Sequence, residues 1–191
     1  MQMFYNDLVP GLWIAWFIYW RVASFGVKAA RRRESVASRA GHIVPMVLAA
    51  ILLSINPFPG GAVLFRRFLP ASDIAYWAGT LLVALGLAFS VWARLCIGRN
   101  WSGTVTVKQD HELIRRGPYA LVRHPIYSGL LLAFIGSALA RGEWRGVLAV
   151  PIVFVALWRK LRLEERWMSE TFGDEYRRYR AHTAALIPFL F

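Results

Sequence analysis

The sequence predicts an all-α, multi-pass integral membrane bundle of about five transmembrane helices, and three observations carry that reading. Apolar residues fill 57% of the 191 positions and the mean hydropathy is +0.42, too apolar for an ordinary soluble domain and enough for about five spans of ~20 residues with loops. The apolar residues fall in runs, and the Lys and Arg residues sit in blocks between them. Membrane topology explains that pattern and accounts for the net charge of +12 without nucleic acid as a partner. Residues 1–191 read as a single membrane domain, with three N-terminal transmembrane helices in 1–97 and a catalytic core in 98–191.

The first span is expected from about Leu8 to Val27, with Pro10 in its first turns and Trp13, Trp16, Tyr19 and Trp20 as interfacial or packing aromatics. Met1 to Val9 carry no Lys or Arg, unlike the charged start of a secretory signal, so this run is read as a retained span. Arg21 either snorkels to the interface or points into a polar cavity. Lys28, Arg31, Arg32, Arg33 and Arg39 then form a short basic loop. A second apolar run, Gly41 to Phe58, is interrupted at Pro45 and closes on Asn56-Pro57 and Pro59-Gly60-Gly61. Ser72-Asp73 supplies an N-cap for the third and cleanest run, Ile74 to Ile97.

From Gly98 to Val122 the chain turns polar, and the alternation Thr104-Val105-Thr106-Val107 predicts a short extended segment. Pro118 and Pro125 bracket Arg123 and His124, so the connector between them should be rigid and bent. Pro125 opens a fourth helix to about Ala140, on which Gly129, Ala133 and Ser137 recur every four residues and invite close approach of another helix. Arg141 to Arg145 form a hairpin turn, and a fifth apolar run, Gly146 to Trp158, continues as helix through Arg166. Gly173 ends that helix, Asp174 to His182 form a short one, and Leu186 to Phe191 rest on the bundle or its interface.

Eighteen Lys and Arg fall on one side of these spans and four on the other, Arg21 aside. The positive-inside rule then places the N-terminus outside and the polar insert and tail in the cytoplasm. Three polar groups converge there: the insert with Lys108, His111 and Tyr119, the connector with Arg123, His124 and Tyr127, and Glu164-Glu165 beyond the fifth run. Bland readings exist for each. Arg123 and His124 can anchor to lipid phosphates, Tyr119 and Tyr127 can be interfacial belt residues, and Glu164 and Glu165 can pair with Lys160 and Arg162 on a solvated helix face.

Cys96 is the only cysteine, which excludes an intrachain disulfide and a thiol-built zinc site, and no metal is expected. The dinucleotide, P-loop, zinc-protease and serine-hydrolase motifs are all missing. Any cofactor site is therefore of a less common kind.

The run His111-Glu112-Leu113-Ile114-Arg115-Arg116-Gly117-Pro118-Tyr119, then Val122-Arg123-His124-Pro125-Ile126-Tyr127-Ser128-Gly129, then Glu164-Glu165 and Phe172-Gly173-Asp174-Glu175-Tyr176 with Tyr179, resembles the core of the isoprenylcysteine carboxyl methyltransferase family, itself related to the phospholipid methyltransferases. The resemblance spans about Asn100 to Phe189. It implies an S-adenosylmethionine-dependent methyltransferase, with the cofactor in a cytoplasmic C-terminal pocket and a lipophilic or lipid-linked acceptor arriving from the bilayer. It implies His111, Leu113, Gly117, Tyr119, Arg123, His124, Tyr127 and Gly129 as the pocket frame, closed by Glu164 and Glu165, with Arg123 and Glu165 in catalytic roles. Such residues suit the cofactor, since a sulfonium and an amino group favour carboxylates and aromatic faces, and its carboxylate calls for Arg or His. A carboxylate acceptor needs no general base, whereas an amine or thiol would draw on His124 or Glu165.

The chain departs from the family at His182, where an arginine is usual, and at Thr183-Ala184, where the family carries a Val-Pro-like stretch. The resemblance therefore extends to the superfamily rather than to a prenylcysteine carboxylate as acceptor. The competing readings are an NADPH-dependent membrane reductase related to sterol reductases and a non-catalytic membrane adaptor.

Overall fold

The computed structural model describes residues 2–54, 63–108 and 112–190, with backbone alone for 2–7 and 107–108. Within them the chain runs α1 (Gln2–Ala23), β1 (Ala30–Arg33), α2 (Val36–Ser54), α3 (Asp73–Ile97), β2 (Thr106–Lys108), α4 (Pro125–Arg141), α5 (Trp144–Phe172) and α6 (Asp174–His182). The five long helices correspond to the five predicted runs. Two of them, Val36–Ser54 at mean hydropathy 1.8 and Asp73–Asn100 at 2.0, are long and apolar enough to cross a membrane, and Leu8–Ala23 and Pro125–Arg141 are shorter apolar helices.

The closest helix pair is α3 with α4. A Cβ on Gly86 would meet the Gly129 carbonyl at 2.5 Å and the Ala133 nitrogen at 2.7 Å, and one on Gly79 would meet Ala140 and Gly136 backbone at 2.4 and 2.6 Å. Backbone thus lies on backbone at two levels, which only small residues permit. The stripe read from the sequence serves this purpose at Gly129 and Ala133, while Ser137 accepts a 3.0 Å hydrogen bond from the Trp13 indole. Trp16 donates to Ser90 Oγ at 2.8 Å in the same way, fixing α1 against α3. On the other flank α2 packs on α5 and α5 on α4, enclosing Ala49, Leu53, Leu130, Phe134, Val153, Leu157 and Leu161.

Several expectations are corrected. The basic loop is a strand: Ala30–Arg33 pairs antiparallel with the predicted extended segment, Arg33 opposite Thr106, so the fold carries a two-stranded sheet beside its helices. The β-branched partner recruits the arginines because their long side chains can stand off an exposed ladder while the backbone pairs. Glu34 locks the pairing; its carboxylate accepts the Val105 N–H at 3.0 Å and the Ser38 hydroxyl at 3.0 Å. Pro45 does not interrupt α2, which runs through it to Ser54, as proline is tolerated in helices that neighbours support. The turn that the sequence places at 56–61 lies outside the described residues. Ser72 takes the N-cap position of α3 in extended conformation but makes no side-chain cap bond. Arg21 is exposed, as snorkelling requires.

Helix α5 continues through Arg166 and ends at Gly173, φ +52°, where the sequence places the break. Nothing before that glycine breaks it, and its last turns have work to do. They bury Trp167, over which Arg32 of β1 lies at 4.1 Å, and the same Arg32 pairs with Glu170 at 2.6 Å. Gly173 then caps α6, which spans the residues expected.

Valine at Gly129 or Gly86 is expected to lower stability in detergent by about 1–3 kcal/mol through overpacking. Gly11→Ala, whose added Cβ meets nothing within 4 Å, should stay within about 0.5 kcal/mol of the parent. Thermal unfolding of the three variants checks this; equal midpoints would refute the glycine seam.

Candidate functional site

The connector is held on both sides. Gly117 opens it at φ +61°, where a Cβ would strike the Cys96 sulfur at 2.9 Å, and Pro118-Tyr119 form a buried 3-10 turn. The tail then runs alongside: the Arg123 and His124 N–H groups donate to the Ala184 and Ala185 carbonyls at 2.8 and 3.0 Å. Tyr179 of α6 reaches back to the Tyr119 carbonyl at 2.5 Å. Rigidity here comes from both prolines and the tail, so Arg123 and His124 leave the connector in fixed directions.

Both point at α5. Arg123 donates to Glu165 Oε1 through Nε at 2.7 Å and through Nη2 at 2.7 Å, while Nη1 donates to the Arg180 carbonyl at 3.1 Å and to the Thr183 carbonyl. Every guanidinium nitrogen therefore has a protein partner. Glu165 is 5% exposed. Beside it, Glu164 accepts a 2.6 Å hydrogen bond from the Tyr127 hydroxyl. The His124 ring bridges the two carboxylates, Nδ1 at 3.5 Å from Glu164 and Nε2 at 3.5 Å from Glu165, long for hydrogen bonds and better described as ion pairing. It also stacks on Tyr127 with centroids 5.4 Å apart. The surface-pair reading of the glutamates does not describe this arrangement: their partners lie across the bundle, and Lys160 instead donates to the Gly103 carbonyl at 3.1 Å.

The electrostatics follow from burial and from these contacts. Desolvation is the largest influence on Glu165 and pushes its pKa up, but His124 and Arg123 outweigh it and hold the carboxyl at about 2. Glu164 is likewise held below the usual range, with His124 and Lys160 overcoming burial. For His124 burial works against the charged ring, yet the two carboxylates win and its pKa rises above 6.5. Burial pushes the phenols of Tyr119 and Tyr176 far up, so both stay protonated.

A cavity opens over this cluster. Leu113, Tyr119, Arg123, His124, Tyr127 and Glu164 line it, with Asn100, Trp101, Thr104, Thr106, Met168 and Tyr176. Of the residues singled out from sequence, His111 lies outside the described residues. Gly117 packs on Cys96, Gly129 faces α3, and Glu165 sits behind Arg123, outside the lining. Sequence reasoning missed Asn100 and Trp101, which follow the last turn of α3; their signal was a polar and an aromatic residue at the exit of the cleanest span. It also missed Glu34, whose charge next to the basic block looked like ordinary surface. Three buried polar atoms of lining residues, Asn100 Oδ1, Thr106 Oγ1 and His124 Nε2, have no hydrogen-bond partner among the described residues, Nε2 being held only by its ion pair with Glu165.

An apolar helical bundle with a charged, aromatic-walled cavity at the open end of its α4–α5 hairpin defines the class: a membrane-type helical protein with a polar site at one face. The chain belongs to the phospholipid methyltransferase family, whose model matches residues 74–175. It is 33% identical over 126 residues to the protein-S-isoprenylcysteine O-methyltransferase of Saccharomyces cerevisiae, covering 63% of this chain and 52% of that protein. It is 37% identical over 71 residues to a methanethiol S-methyltransferase of Bradyrhizobium diazoefficiens, covering 37% of this chain and 24% of the relative. The solved structure of a eukaryotic intramembrane Ras methyltransferase, isoprenylcysteine carboxyl methyltransferase, shares the fold at TM-score 0.52 and 22% identity, over 81% of this chain and 50% of that one. The chain thus spans about half the length of the yeast relative.

Removing Arg123 alone strands a buried carboxylate, so Arg123→Met is expected to cost about 3–5 kcal/mol, whereas Arg123→Met with Glu165→Leu should cost far less; denaturation of the single and double variants decides it. The pH dependence has a definite sign. Stabilisation from a depressed carboxyl is present above its ordinary 4.5 and is lost as pH falls through about 2, while that from a raised histidine is complete below 6.5 and is lost as pH rises through its elevated value. The gap in melting temperature between the parent and His124→Gln should be widest below pH 6.5 and close as pH rises through the raised His124 value; a gap that widens with pH would contradict the His124 assignment.

Proposed function

We propose that the chain is an S-adenosylmethionine-dependent methyltransferase acting on a lipophilic or lipid-linked acceptor where membrane meets cytoplasm. The observation that carries the reading is Glu164: an ionised carboxylate at 23% side-chain exposure, fixed by Tyr127 and His124, in a cavity walled by Tyr119, Tyr176 and Trp101. Negative charge beside aromatic faces suits a sulfonium and an amino group. Asn100 Oδ1, buried with no hydrogen-bond partner among the described residues, would accept from an amino group. Membership in the family, and relatives named as O- and S-methyltransferases, support the same reading. In the proposed arrangement five helices cross the bilayer, with the N-terminus outside and α6 in the cytoplasm, as the distribution of Lys and Arg favours.

When bound, S-adenosylmethionine supplies an electrophilic methyl group on a positively charged sulfur. The chain's residues have four tasks. Glu164 and Asn100 hold the cationic end. His124, ion-paired with both glutamates, holds Glu164 toward the cavity. Arg123, its nitrogens occupied, positions Glu165, His124 and the tail rather than contacting substrate. The aromatic wall excludes water and fixes the line of approach, which is where methyl transfer gains most.

Among the described residues, neither Glu164, Glu165 nor His124 is poised as a general base. Glu165 titrates at about 2, Glu164 is lowered, and His124 is biased toward its charged form. The geometry therefore favours an acceptor that arrives already ionised, a carboxylate or a thiolate, over an amine. His182, the point of departure from the family, is exposed and contacts the Arg178 carbonyl at 2.8 Å, and the cation nearest Glu165 from α6 is Arg180, at 3.7 Å.

Calorimetry of the purified protein with S-adenosylhomocysteine and with NADPH tests the reading. Saturable binding of the first alone is expected; binding of NADPH alone would support a reductase, and binding of neither an adaptor. Glu164→Gln should weaken S-adenosylhomocysteine by about tenfold to a hundredfold, the worth of a charged hydrogen bond. Transfer of labelled methyl to lipid extracts and to small thiols then separates the acceptor classes.

A further inference from the structure

At the end of the bundle away from Arg123, a cleft of about 610 Å³ opens between α1 and α2, within the roughly 300–1,000 Å³ of small-molecule sites. It exists because the two helices lean on different partners, α1 on α3 and α2 on α5. Its wall is apolar: Trp13, Trp16 and Phe17 from one side, Ala50 and Leu53 from the other, and Phe134 of α4 as floor. The two indole N–H groups are committed to Ser137 and Ser90, so neither is free to bind a ligand and the rings offer the cleft their carbon.

One end is charged. Arg67, Arg141 and Glu143 line it. The Glu143 carboxylate is taken by the buried Arg145, whose Nε lies 2.5 Å away. Arg67 spends Nε on the Leu69 carbonyl at 3.1 Å, and no hydrogen bond joins Arg141 to a described residue. Two guanidinium groups therefore face the mouth of an apolar cleft with their one carboxylate already paired. A soluble anion would satisfy the arginines but leave the aromatic wall wet; a neutral lipid would do the reverse.

We infer that this cleft binds one anionic phospholipid, its chain lying along Trp13, Trp16 and Phe134 and its phosphate held between Arg67 and Arg141. The site is separate from the cavity over Glu164 and requires no methyl transfer. Guanidinium groups grip phosphate through paired hydrogen bonds; both lipids carry that phosphate, but the choline cation cancels its charge and is repelled by the two arginines, which should favour phosphatidylglycerol over phosphatidylcholine by about thirtyfold.

Native mass spectrometry of the full chain from nanodiscs of equal phosphatidylglycerol and phosphatidylcholine reads this directly. One retained phosphatidylglycerol is expected, with Arg67→Gln/Arg141→Gln bringing the two lipids to near parity. Ala50→Phe, which fills the cleft, should displace both. Arg31→Gln/Arg33→Gln removes as much charge from the opposite face and should change nothing. Equal retention of both lipids by the parent, no retained lipid, or the same loss in the Arg31/Arg33 control would overturn the site. A measurement on the unaltered protein guards against misfolded variants: phosphatidylglycerol with brominated chains should quench tryptophan fluorescence more than its phosphatidylcholine counterpart, and equal quenching would count against the site. Neither readout uses cofactor, so failure here leaves the methyl-transfer reading standing.

Discussion

Arg123 and Glu165 meet in a place where neither could remain charged alone. Each side chain is 7% exposed, and taking an ion out of water costs several kcal/mol unless its partner is fixed in good geometry. The structure meets that condition from three directions at once. Two nitrogens of Arg123 grip one carboxylate oxygen, and the third nitrogen takes the carbonyls of Arg180 and Thr183. The pair thereby ties α5 to the connector and to the tail after α6, which the backbone bonds of Arg123 and His124 already hold side by side. His124, adjacent to Arg123, is carried into position between Glu165 and Glu164, and Tyr127, one turn into α4, reaches Glu164 from the same platform. The cavity is what remains above this arrangement once the insert folds over it.

The insert itself is placed by a second buried acid. Glu34, 6% exposed, binds the Val105 N–H and so holds β2 against β1. Thr106, at the start of that strand, and Thr104 just before it line the cavity. Two acids on opposite sides of the pocket thus play the same part, each trading solvation for the position of a backbone segment. Arg32, spanning from β1 to Trp167 and Glu170 of α5, ties the two halves together.

Much of this was legible in the sequence, for physical reasons that differ by element. The five helices follow from apolar runs and basic blocks, and α6 from a glycine followed by acidic residues and a basic end. The α3–α4 contact was half legible: the small residues of α4 announced a close neighbour, but Gly79 and Gly86 were not recognised as the other half, since glycines in a long apolar run carry no direction. The strand at Ala30–Arg33 was not legible, because three consecutive arginines carry a topological signal that hides a pairing made only by the distant Thr106–Lys108. At the site, the types and spacing of Arg123, His124, Glu164 and Glu165 were visible. Their division of labour was not. Glu165 is buried against Arg123 while Glu164 faces the cavity, because adjacent helical residues point about 100° apart and only packing decides which faces inward.

The central claim is that the cavity over the Arg123–Glu165 pair receives the methyl donor. Photolabelling of the purified protein with S-adenosylmethionine carrying a labelled methyl group, followed by peptide mapping, locates the donor without presuming an acceptor. The label should fall on Trp101, Tyr119, Tyr127 or Tyr176 and be displaced by S-adenosylhomocysteine. Label confined to the cleft between α1 and α2, or undisplaced label spread over the surface, would contradict the account.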